Sequence, residues 1–148
     1  MHFRFFLSGA ICALFLSRFA FAEPDAEADI RHVLNEQAEA WNRGDIDGYM
    51  NGYARGDQTE FVSGDAVTRG WQTVRDRYAA KYDSREKMGL LSFSEVSVSV
   101  LSDDAALATG KWQLTRASDQ PHGRFTLLLR RTPDAWRIVH DHTSAAAD

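Results

Sequence analysis

The chain has 148 residues, 44% of them hydrophobic, with 17 Lys and Arg against 21 Asp and Glu (formal charge −4) and a single cysteine. This is the length of one ordinary domain. Its acidic balance argues against a nucleic-acid partner held on a basic face, and one thiol excludes an internal disulfide or a cysteine metal cluster.

Residues 1–22 read as a secretory signal peptide. Arg4 gives a weakly basic start, an apolar run extends from Phe5 to Leu16, and Ala20-Phe-Ala22 forms a cleavage pattern. The run is shorter than the about 20 residues of a membrane span. The expected product is therefore periplasmic or secreted, with no membrane anchor after cleavage. Cys12 falls inside this leader, and Ile11 before it does not suit lipid attachment. Losing Arg4 and Arg18 with the leader leaves 15 basic residues against the same 21 acidic ones, a charge of −6.

Residues 23–148 are expected to form one domain. Asp25 is placed to cap a helix with apolar positions Ile30, Val33, Leu34, Ala38 and Trp41, and Gly44 stops it. Asp45 caps a shorter helix carrying Ile46, Tyr49, Met50 and Tyr53 and weakened by Gly48 and Gly52. Thr59–Val62 reads as a short strand, Ser63-Gly-Asp65 as a turn, and Gly70 precedes a third helix with Trp71, Val74, Tyr78 and Tyr82. From Leu90 the period changes to 2, with strands expected at Leu90–Leu101, Ala105–Ala117, Arg124–Arg131 and Ala135–Thr143. Their short polar connections predict an antiparallel meander. Three helices followed by such a sheet make an α+β architecture. Sizeable residues on both strand faces predict a homodimer formed through the sheet.

The last strand concentrates the polar chemistry. Unbroken alternation puts Trp136, Ile138, His140 and His142 on one face and Arg137, Val139, Asp141 and Thr143 on the other. Histidine changes charge near neutral pH, so His140 and His142 are candidate general acid and base, with Asp141 tuning them. The competing reading makes them structural polar groups that close hydrogen bonds. A His-x-His pair also presents two imidazoles to a metal. The sequence names no third ligand, although His32, Glu60 and His122 are available, so no metal is expected. There is no Gly-rich phosphate loop, nucleophile elbow or CxxC, and no cofactor is expected.

Several segments together resemble the nuclear transport factor 2-like superfamily, and within it the SnoaL-like proteins related to ketosteroid isomerase. They are Trp41-Asn-Arg-Gly-Asp-Ile-Asp47, Gly70, Ala106-Leu-Ala-Thr-Gly-Lys-Trp112, Gly123-Arg-Phe125 and Trp136 through Ser144. The closing strand also resembles that of the association domain of calcium/calmodulin-dependent protein kinase II. The resemblance implies a cone, in which a curved antiparallel sheet wraps the long N-terminal helix and two shorter helices around a pocket, and dimerisation through the sheet's outer face. It also implies an isomerase, a lyase or a non-catalytic binding or oligomerisation module acting on a small organic molecule, because the fold hosts all of these. In that setting Trp41, Tyr53 and Trp112 become candidate ligand contacts, since rings lining a cone suit a flat apolar molecule. Lys111 favours an anionic ligand if it points inward and is a surface lysine if it points outward. The positions at which ketosteroid isomerases carry their oxyanion tyrosine, carboxylate base and second acid fall near Gln37, Phe61 and Leu127, none of which can play those parts.

Overall fold

The computed structural model describes residues 25–146; the expected leader and Cys12 lie outside them. Helix α1 (Ala26–Asn42) starts where Asp25 accepts a hydrogen bond from the Ala28 amide at 3.1 Å. Its buried stripe is Ile30, Val33, Leu34, Gln37, Ala40 and Trp41. Fully burying each large apolar side chain of that stripe contributes about 1.5–3 kcal/mol. Gln37 replaces Ala38 in the expected stripe because its amide has a buried partner: Nε2 donates to the Tyr49 carbonyl at 3.0 Å. Gly44, at φ +82°, turns the chain into α2 (Ile46–Met50), which Asp45 caps through the Gly48 amide at 2.7 Å.

Strands β1 (Glu60–Ser63) and β2 (Ala66–Arg69) form a hairpin around the Ser63-Gly-Asp65 turn. β2 lies at the sheet edge and is largely exposed, so it carries little of the apolar alternation that marks a strand. Helix α3 (Trp71–Lys81) is followed by a single turn, α4 (Arg85–Met88), capped by Ser84. This turn fastens the end of α1. Arg85 donates to the Trp41 and Asn42 carbonyls, at 2.9 and 3.0 Å, where the helix has no partners of its own. The Trp41 indole in return donates to the Met88 carbonyl at 3.1 Å.

Strands β3 (Leu90–Ser102), β4 (Ala105–Thr115), β5 (His122–Arg131) and β6 (Trp136–Thr143) form the expected antiparallel meander. β1 then joins β6 in parallel and completes a six-stranded sheet of order β2-β1-β6-β5-β4-β3. The sheet is curved and unclosed, and its concave side faces the helices. Two bulges contribute to the bending. In β3 the pairing steps from Ser94–Lys111 to Ser97–Thr109, so one extra residue is accommodated beside Glu95, whose φ is +51°. In β6 it steps from Leu129–Ile138 to Leu128–His140, which leaves Val139 unpaired.

The core fills the concave side, with Met50, Leu129, Trp136 and Ile138 among its most buried side chains. Beyond β6, the Ser144 and Ala146 amides donate to the Arg124 and His122 carbonyls at 2.9 and 2.8 Å. The tail thereby extends the strand pairing across Gly123, where any Cβ would strike the Ser144 backbone.

Candidate functional site

The helices and the concave sheet enclose a cavity of about 120 Å3. Trp41 reaches it from α1, Tyr49 from α2, Tyr53 from the turn after α2, Phe61 from β1, Tyr78 from α3 and Trp112 from β4. The rings pack edge to face: Trp41 and Tyr49 centroids are 5.1 Å apart, and Tyr49 and Tyr78 centroids 5.2 Å. Trp112 donates its indole N–H to the Ser144 carbonyl at 2.9 Å, which fixes the C-terminal tail as one lip of the opening. Gln37, Phe61 and Leu127, the three isomerase-equivalent positions, also line the cavity, and none of them can ionise.

The polar centre of this wall is Asp141, which is 4% exposed. The Tyr53 hydroxyl donates to its Oδ2 at 2.6 Å, and the Thr143 hydroxyl donates to Oδ1 at 2.7 Å. Burial raises the Asp141 pKa above the ordinary carboxylate value, while the hydrogen bonds from Tyr53 and Thr143 pull against that rise. The Tyr49 and Tyr78 hydroxyls lie 3.4 Å apart. Burial, aided by the charge of Asp141 and by neighbouring phenols, pushes Tyr49, Tyr53 and Tyr78 upward. All three phenols therefore stay protonated at neutral pH and serve as hydrogen-bond donors. A raised carboxyl beside neutral donors, against an apolar cavity, is suited to proton transfer.

The structure reverses the expected faces of all three residues of the His-Asp-His run. Because Val139 takes the extra position of a bulge, alternation restarts after it: Trp136 and Ile138 face the core, and so does Asp141, while His140 and His142 lie on the convex face. The face expected to be shared by both histidines with Trp136 and Ile138 is thus corrected. His142 is exposed, and His140 Nδ1 lies 3.0 Å from Glu60 Oε1 of the neighbouring strand. Of the other metal-ligand candidates, His32 pairs with Glu36 along α1, and the His122 ring meets the Gln120 carbonyl. Among the described residues no group of three His, Cys, Asp or Glu is arranged to hold a metal ion.

Lys111 is also on the convex face. Its Nζ pairs with Glu95 Oε1 at 2.6 Å, so of its two readings the outward one holds. The positive charge at the cavity comes from α3, where Arg77 and Lys81 line the opening. Sequence reasoning passed over both. Their spacing of four from each other, with Arg77 three residues after Val74 and Lys81 three after Tyr78, was the signal that places them beside the inward side of the helix.

Residues 30–148 match the family model of the SnoaL-like domain. Among solved structures, an NTF2-like protein of unknown function from Shewanella oneidensis MR-1 is 39% identical over 80% of this chain and 98% of its own, with a TM-score of 0.77. An NTF2-like protein of unknown function from Pseudomonas putida KT2440 is 22% identical over 83% of this chain and 88% of its own (TM-score 0.70). A ketosteroid isomerase-like protein from Erwinia carotovora atroseptica SCRI1043 is 17% identical over 85% of this chain and all of its own (TM-score 0.67). These two share the fold. No curated protein matches the chain. The bent six-stranded sheet, the long helix within it and a family match spanning α1 to the C-terminus together place the chain in the SnoaL-like domain family, of the nuclear transport factor 2-like superfamily.

Proposed function

We propose that this protein binds a small organic molecule in its cone and acts on it as an isomerase or lyase, with Asp141 as the proton-transferring group and Tyr53 as the neutral donor beside it. The observation that carries this reading is the Asp141 carboxyl, buried against the cavity wall and held by two hydroxyls with its pKa raised. A carboxyl whose pKa is raised by an apolar site holds its proton more tightly than an exposed one, which suits it to take and return a proton. The cavity volume suits a compact ligand, since an apolar cavity of about 150 Å3 holds benzene.

Deuterium uptake from D2O at carbons next to the carbonyl of small aromatic ketones, followed by NMR, tests the chemistry. The wild-type chain is expected to accelerate exchange, and Asp141→Asn to abolish it without unfolding. A second reading, binding without turnover, is favoured by the fact that both Asp141 oxygens already accept hydrogen bonds from within the protein. Ligand binding by both proteins with exchange by neither would select it. The leader-like residues 1–22 support export, and the apolar side chains of Leu107 and Leu128 on the convex face support homodimerisation. N-terminal sequencing of the exported product and sedimentation at micromolar concentration test these two points.

A further inference from the structure

Most cations of the sheet and of the outer side of α3 are paired. Arg75 meets Asp47 and Asp76, and Lys111 and Arg124 share Glu95. The two cations at the cavity opening differ. Among the described residues no carboxylate lies within ion-pair distance of Arg77 or Lys81. Arg77 is half-buried: it donates one N–H to the Thr68 hydroxyl at 2.7 Å and lies 5.0 Å from the centre of the Phe61 ring, which leaves most of its fork of donors unused. Lys81 is exposed, 5.3 Å from the centre of the Tyr82 ring. Among the described residues, a chain of net negative charge thus keeps two unneutralised cations at one edge of an apolar cavity, whose lining there has Asp141 as its one acidic side chain.

This arrangement divides the cavity by polarity. An anionic group entering it is attracted at the α3 edge and repelled near Asp141. Apolar rings between the two ends leave room for a compact hydrophobic body. Resting on the reading of the cone as a small-molecule site, we propose that its ligand is a small carboxylic acid with an apolar, ring-sized body, the carboxylate held by Arg77 and Lys81 and the body lying among Phe61, Tyr78 and Trp112. A guanidinium beside an ammonium matches a planar carboxylate, with Arg supplying the two-pronged contact and Lys a point charge.

Titration calorimetry of the full domain with phenylacetate, its neutral amide phenylacetamide and phenyl phosphate tests the assignment. The acid is expected to bind about tenfold or more tightly than the amide, the preference corresponding to one charge-assisted contact. It should weaken as salt is raised. Lys81→Gln, at an exposed position, should erode the preference for the acid while leaving the affinity for the amide unchanged. Arg77→Gln should remove more of it, with circular dichroism confirming that the helix persists. Equal affinity for acid and amide, or equal loss of both in Lys81→Gln, overturns the carboxylate assignment and leaves the small-molecule pocket standing. Tighter binding of phenyl phosphate than of phenylacetate overturns the choice of carboxylate. Failure of all three probes to bind overturns the pocket reading together with the inference.

Discussion

The two faces of β6 are built from one run of residues and behave as different materials. On the concave face, Asp141 is buried, held by Tyr53 and Thr143, and surrounded by aromatic rings. On the convex face, two residues that flank it in sequence, His140 and His142, meet solvent and the Glu60 carboxylate. A polar group on the first face depends on partners supplied by the protein, because burial leaves it little contact with water. On the second face water replaces any partner that is lost. The same three residues therefore contain a site whose disruption is costly and two neighbours whose replacement is nearly neutral.

Asp141→Ala should break this contrast most severely. It strands the Tyr53 and Thr143 hydroxyls and leaves a void, so a loss of about 2–4 kcal/mol is expected in urea unfolding. A loss of equal size from His142→Ala would erase the distinction between the faces. Tyr53→Phe keeps the ring and removes one hydrogen bond to the carboxyl, with an expected loss of about 1.5–3 kcal/mol by the same measurement. It should also push the Asp141 pKa further up, which NMR titration of the carboxyl carbon would detect.

The pH dependence sharpens the comparison. Folded Asp141 holds its proton more tightly than the unfolded chain does, because burial raises its pKa. Its contribution to stability is therefore most favourable below the ordinary carboxylate range, declines as pH rises through the raised folded pKa, and then levels off. Unfolding midpoints of wild type and Asp141→Asn compared across pH should show wild type losing ground in that window, and parallel curves would contradict the buried titration. The smallest effects belong to the convex face, where His140→Gln and His142→Ala should each change stability by no more than about 0.5 kcal/mol.

Much of the architecture was legible in the residues. The 3.6-residue spacing of Ile30, Val33, Leu34 and Trp41, the caps at Asp25 and Asp45, and the change to period 2 at Leu90 correspond to α1, α2 and the four long strands. Two short elements were not legible. β2 is exposed at the sheet edge, and α4 is a single turn held by Arg85 and Ser84, so neither presents an apolar repeat long enough to read. Of the site, the rings of Trp41, Tyr53 and Trp112 were singled out, whereas the cations at the opening were sought at Lys111 and lie at Arg77 and Lys81.

The sequence by itself determined the class of fold, the order of its main elements and the family, because periodicity, caps and turn residues are local properties of the chain. Tertiary structure alone decided which side of β6 looks into the cone. Strand phase is a pairing property: one unpaired residue, Val139, sets the faces of everything after it, and nothing local to Val139 distinguishes a bulged valine from a paired one. That single residue turns Asp141 toward the cavity and both histidines away from it.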